Sequence, residues 1–181
     1  MRNFIALGMI KRMGARYDDD VSYALHLLAH SPKAFWKFAR VTALSRHREQ
    51  APAEAVLTVK LLGTMNEDCG PCTQLVVHFA KEAQMAADQV EAVLRRDQTA
   101  MSPAVALAYR YGAAVLSRSP DAHAAREAVR ACWGEKGLID LAVAMQATRL
   151  FPMLKDALGF ALECRRVSVD GRSVDVAKQV A

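Results

Sequence analysis

The chain has 181 residues, 52% of them hydrophobic and only 7% aromatic, with 24 Lys and Arg against 19 Asp and Glu. That length suits one domain able to bury its apolar surface without a disulfide framework, and the hydrophobic content excludes intrinsic disorder. Nine Gly and six Pro exclude collagen-like and low-complexity classes, and a net charge of +5 scattered in pairs such as Lys11-Arg12, Arg95-Arg96 and Arg165-Arg166 reads as a solvated surface, not a nucleic-acid-binding face.

Residues 1–15 resemble a leader only superficially. The apolar run 4–10 is short, Lys11 and Arg12 follow at once, and small-residue cleavage chemistry is missing, so this stretch reads as a first helix over 2–13. Further helices are expected over 18–29, 32–47, 52–66, 70–84, 87–97, 103–117, 120–132 and 135–158. Ser31-Pro32, Ser102-Pro103 and Ser119-Pro120 each place a capping hydroxyl before a proline that has no amide to leave unpaired, and Pro52 opens its helix similarly. In the last helix Leu138, Leu141, Ala142, Met145 and Thr148 recur every three or four residues. Pro152 should kink or split it near Phe151. Beyond it, residues 167–174 alternate around Asp170-Gly171, the signal of a small hairpin that must dock on the fold or on a neighbouring subunit. No strands alternate with helices, and no apolar stretch reaches bilayer length. The expectation is an all-α domain over 1–181 with a small C-terminal β-hairpin: N-terminal helices over 1–50, a core over 51–160 and a tail over 161–181. A reducing cytoplasm is the expected compartment, where four cysteines are redox-active or buried and do not form a structural framework.

Chemistry concentrates in Asn66-Glu67-Asp68-Cys69-Gly70-Pro71-Cys72-Thr73-Gln74, running on to His78. Cysteines three apart at a helix start share one face and can bridge. The free amides and positive end of the helix stabilise a thiolate. Half of a zinc site and an inert buried pair are the competing readings. A zinc site needs a second pair of ligands, which Cys132, Cys164 and His78 do not supply by spacing. Pro71 suits a first helical turn and Gly70 a tight entry, which favours redox chemistry. Glu67 and Asp68 should disfavour a thiolate on Cys69 more than on Cys72. The same four-residue string occurs in thioredoxin, but that fold needs a strand ahead of it, where 52–66 reads as a helix.

Two stretches carry a closer resemblance. One runs Glu54-Ala55-Val56-Leu57-Thr58-Val59-Lys60-Leu61-Leu62, then a short loop, then Cys69-x-x-Cys72. The other runs Trp133-Gly134-Glu135-Lys136-Gly137-Leu138-Ile139-Asp140-Leu141-Ala142 and on through Phe151-Pro152 to Gly159. Together they resemble the alkyl hydroperoxidase D-like branch of the carboxymuconolactone decarboxylase family. The resemblance implies a hydroperoxidase-like helical fold over 51–160, a trimer or hexamer, and an antioxidant thiol peroxidase cycle. In that cycle Cys72 attacks the peroxide and Cys69 resolves the sulfenic acid to a disulfide. An external dithiol donor, such as a lipoyl-bearing partner, then reduces it. The family's histidine after the second cysteine falls on Val76 here, its second histidine on Pro71, and its relay glutamate on Leu57. Glu54, Glu67 and His78 are the candidate supporting residues, with Thr73, Gln74 or water as other proton carriers. His78, however, lies about 240° around a regular helix from Cys72.

Cys132 and Cys164 are expected to be small packing residues, and His47 and His123 solvated ones. His26 and His30 share a helix face without a third ligand. The expected function is therefore an oxidoreductase: a thiol-dependent peroxidase or thiol–disulfide oxidoreductase acting on a hydroperoxide or small disulfide. No cofactor is expected beyond the disulfide, and no metal, nucleic acid or membrane. The alternative is a non-enzymatic helical oligomer with a structural cysteine pair.

Overall fold

One helix is buried along most of its length and the others are arranged around it. In the computed structural model, which describes residues 2–160 and 166–176, this helix is α5 (Ala53–Asn66), ten of whose fourteen residues are buried. Ahead of it come α1 (Arg2–Tyr17), α2 (Ser22–His30), α3 (Pro32–Phe38) and α4 (Arg40–Ser45). After it come α6 (Gly70–Glu82), α7 (Ala87–Arg95), a 3-10 turn (Gln98–Ala100), α8 (Pro103–Leu116) and α9 (Ala122–Ala157). Strands β1 (Arg166–Val169) and β2 (Arg172–Asp175) complete the order. The fold is all-α with a small C-terminal hairpin.

The buried polar groups of α5 are satisfied by its own backbone. Thr58 Oγ1 donates to the Glu54 carbonyl at 2.7 Å and Thr64 Oγ1 to the Leu61 carbonyl at 3.0 Å. One side of the helix packs Leu57, Leu61, Leu62 and Met65 into a core with α6, α7, α8 and the hairpin. The other side packs Ala55, Val56 and Val59, together with Ala51 just ahead of the helix, against α8 and α9. Gly63 allows the close approach of α9: a Cβ there would meet the Met145 carbonyl oxygen at 3.1 Å. A third cluster, with Ala6, Ile10, Tyr23 and Leu28 at its centre, joins α1, α2 and α3 to Phe151 at the far end of α9.

Several expected boundaries move. The first helix runs on to Tyr17, and the segment expected over 32–47 divides at Ala39, which lets α4 lie along α9. Helix α9 continues through Pro152. Its interruption is instead at Gly134, with φ 67° and ψ −175°, between the two helices expected there. Glycine takes that positive φ without steric cost, so the break falls on it. Serines 31 and 102 cap their helices as expected, accepting the amides of Ala34 and Val105. Ahead of α9 the Ser119 hydroxyl accepts the Asp121 amide at 3.1 Å, and Asp121, the residue before the first helical one, adds no side-chain cap of its own.

The hairpin forms in the expected register, Val167 opposite Val174, and its turn residues Asp170 and Gly171 both have positive φ, as a two-residue turn demands. It docks on its own chain. Gln74 exchanges two hydrogen bonds with the Ser168 backbone, at 2.6 and 3.1 Å, and Lys81 pairs with Asp170 at 2.8 Å.

By length and composition α9 does contain an 18-residue window, of mean hydropathy 1.2, apolar enough to cross a membrane, contrary to the expectation from runs alone. Half of that window is buried inside the fold, as in the core helix of a soluble protein. Charged groups also tie α9 to its neighbours. Lys155, 3% exposed, lies 3.6 Å from Asp19 and over the ring of Tyr23.

The strongest tie is Asp140, whose side chain is fully buried. Its carboxylate accepts the successive amides of Glu49, Gln50 and Ala51 at 2.7–3.0 Å. His47 Nε2 lies 3.5 Å away, so that histidine flanks this anchor and is more than a solvated helix end. Three consecutive amides form an anion-binding concavity that the carboxylate fills. Burial pushes the Asp140 carboxyl up, but the amides of Ala51, Gln50 and Glu49, helped by His47, outweigh it and hold it below its ordinary range. A carboxyl depressed in the folded state stabilises the fold above about pH 4, and that contribution is lost as pH falls through the folded pKa. Asp140→Asn keeps the shape but turns one acceptor into a donor facing amides. It should cost about 2–4 kcal/mol in urea unfolding at pH 7, and the difference from wild type should shrink as the pH is lowered.

Candidate functional site

Helix α5 ends at Asn66 and α6 starts at Gly70, so the chain reverses over residues 67–69. Asp68 takes the left-handed conformation, φ 49°, that makes so short a reversal feasible, and aspartate tolerates it better than most residues. The Cys69 amide donates back to the Thr64 carbonyl at 3.3 Å. Thr73 Oγ1 is 3.1 Å from Thr64 Oγ1 and donates to the Cys69 carbonyl at 2.9 Å. These bonds pin the first turn of α6 to the last turn of α5.

Cys69 caps α6: its Sγ accepts the Cys72 amide at 3.3 Å. The two sulfurs lie at disulfide distance, with Cα atoms 5.3 Å apart. Both residues are buried, each 6% exposed. The sulfur of Cys69 therefore occupies the place where a helix N-terminus best stabilises negative charge, with an amide pointing at it.

Of the two acidic residues before this pair, Glu67 is not a naked charge. Glu67 forms a half-buried ion pair with Arg149 of α9 at 2.6 Å and also accepts from Asn66 at 3.0 Å. The sequence contains no signal for this contact, because its partners are 82 positions apart. Local charge thus favours Cys72 as the thiolate, whereas the cap geometry directs a backbone amide at the Cys69 sulfur.

The remaining candidates are placed apart from the sulfurs. Glu54 is in the first turn of α5, ten residues before Thr64, which is about 15 Å along the helix. His78 sits 3.5 Å from Gln74 Nε2 and against the Tyr17 ring, on the side of α6 that faces the hairpin. There it lines a cleft of about 330 Å³ with Gln74, Lys81, Ser168 and Asp170, and neither cysteine lines that cleft. Gln74 is engaged with the hairpin backbone and Thr73 with Thr64 and Cys69. Val76 and Leu57, at the family's histidine and glutamate positions, are core residues at 3% and 6% exposure.

Cys132, expected to pack, is exposed and unbridged on α9, while Cys164 lies outside the described residues. The His26 and His30 rings lie 4.4 Å apart, and among the described residues no group of three or more His, Cys, Asp or Glu could hold a metal. Comparison with protein-family models, with curated proteins and with solved structures returned no match.

Because Arg149 neutralises Glu67, removing it should uncover a negative charge beside Cys69. In a Cys72→Ser background, Arg149→Met should slow alkylation of reduced Cys69 by iodoacetamide at pH 7 by roughly two- to tenfold, less at high salt. An unchanged rate would mean that Glu67 does not act on that sulfur.

Proposed function

We propose that this chain is a dithiol–disulfide oxidoreductase in which Cys69 and Cys72 alternate between reduced and bridged states. The observation that carries this reading is the Cys72 amide directed at the Cys69 sulfur at the start of α6. That arrangement stabilises a thiolate next to a resolving thiol, the pairing that reversible thiol chemistry requires.

In the reductive half-cycle the Cys69 thiolate attacks a substrate disulfide, forms a mixed disulfide and releases one substrate thiolate. The Cys72 thiol, losing its proton to solvent, then attacks Cys69, which closes the internal bridge and releases the second substrate thiol. An external dithiol restores the pair with two electrons. The resemblance to the alkyl hydroperoxidase D-like family extends this to a hydroperoxide as oxidant. Thiolate sulfur then attacks the O–O bond, an alcohol leaves, and the second thiol displaces water from the sulfenic acid. That resemblance gives the attack to Cys72, whereas the cap geometry supports Cys69. The peroxide route needs a proton for the leaving alkoxide. The apolar Val76 and Leu57 therefore favour disulfide exchange as the main activity, with peroxide reduction slower. The 6% exposure of each cysteine favours a second reading, a structural staple closing the α5–α6 turn.

Reduced protein mixed in turn with a small aromatic disulfide and with cumene hydroperoxide separates these readings by thiol titration and intact mass. Loss of two thiols with a gain of the internal bridge is expected, faster with the disulfide. Cys69→Ser should abolish both reactions, while Cys72→Ser should trap a mixed disulfide. A bridge that dithiothreitol opens only after urea unfolding would make the pair a staple.

A further inference from the structure

The cations are spread along the sequence but their excess is not spread over the fold. Residues 1–48 carry nine Lys and Arg against three Asp, whereas residues 49–181 carry 15 against 16 Asp and Glu. The positive charge therefore belongs to the first four helices, none of which contains an acid. Of the three aspartates, Asp19 is buried beside Lys155, Asp20 accepts from Ser22, and Asp18 lies beyond the last turn of α1.

Helix α1 buries Ala6 and Ile10 and turns two stripes outward. One runs Phe4, Gly8, Lys11 and the other Ile5, Met9, Arg12, each at spacings of four and three. Phe4, Ile5 and Met9 are 83%, 58% and 64% exposed, and the two cations are exposed as well. Beside the start of α1, Trp36 donates its indole N–H to Asn3 at 3.3 Å. Lys33, Lys37 and Arg40, all exposed, border with these two residues an open hollow of about 470 Å³. Asn3, the neighbour of Phe4, forms one wall of it, so the apolar turns of α1 adjoin the cations of α3 and α4. Among the described residues, Lys11, Arg12, Lys33, Lys37 and Arg40 form no ion pair.

We propose that this face docks the chain on an anionic lipid surface. Phe4, Ile5 and Met9 enter the boundary between headgroups and acyl chains, and the five unpaired cations meet headgroup phosphates and carboxylates around them. Trp36, with an apolar ring and a tethered N–H, suits the level between the two. The charge selects this occupant. A second copy packed on the same face would set these cations against their like. Nucleic acid would use the cations and Trp36 but leave Phe4, Ile5 and Met9 in water. The contact lies on the surface of a bilayer without spanning it, and it is independent of the redox reading.

Flotation of the full chain with phosphatidylcholine vesicles containing roughly one-third phosphatidylserine tests the proposal. At low salt, binding at least about tenfold tighter than to pure phosphatidylcholine is expected, and it should fall steeply towards about 0.5 M salt. Phe4→Glu should weaken binding by at least about tenfold with unchanged circular dichroism, because that side chain packs on nothing. Lys37→Glu should weaken it about five- to tenfold. Arg118→Glu, the same charge reversal before the other end of α9, should cost less than about twofold. In a Trp133→Phe background, Trp36 emission should shift to the blue on binding. No flotation at low salt overturns the proposal. So does binding that pure phosphatidylcholine matches, or that the Phe4 and Lys37 changes leave intact. Retention on single-stranded DNA without flotation would assign the face to nucleic acid instead.

Discussion

The Asp140 carboxylate in its ring of backbone amides is the contact on which the arrangement of helices depends. It sits inside α9 yet is held by residues 49–51, immediately before α5. The central helix is therefore registered against α9 at its first turn. Everything that packs on α5 inherits that register: α6 through the threonine pair and the cysteine turn, α8 through Leu62 and Val59. A buried carboxylate is costly unless its oxygens are satisfied. Here amides that the α4–α5 link would otherwise have to leave exposed do so.

The cysteine turn shows how local and distant effects divide a task. Helix start, cap and loop conformation are settled within residues 64–73, and they put an amide on the Cys69 sulfur. The electrostatics around that sulfur are settled by α9, which supplies Arg149 to Glu67. The same half-helix turn that carries Arg149 inward carries Gln146 and Leu150 outward, and Arg149 also donates to Gln146 at 3.0 Å. Helix α9 thus joins the anchor at Asp140 and the charge balance beside the cysteines.

The hairpin covers the side of α6 opposite the cysteine turn. Val167, Val169 and Val174 fill the apolar core there, and Gln74 and Lys81 hold its backbone and turn. Two side chains that sequence offered as proton carriers, Gln74 and His78, are drawn to that face. The reason is the helical period: positions two and six after Cys72 point well away from it.

Much of the fold is legible in the sequence because its cues are local. Apolar spacing, Ser-Pro caps and the Asp-Gly turn each act within a few residues, and they specify the helical class, most helix limits and the hairpin register. The Cys-Gly-Pro-Cys turn at a helix start is legible for the same reason. The division at Ala39, the continuation through Pro152 and the exposure of Cys132 are not, because each depends on what the neighbouring helices do at that point. Nor does spacing along the chain reveal that Glu67 is neutralised or that Asp140 organises residues 49–51. So the sequence by itself determined an all-α domain with one paired-cysteine turn. Only the tertiary structure decided that Glu67 beside that turn is paired, because a salt bridge between residues 82 positions apart exists only once α9 has packed against α5.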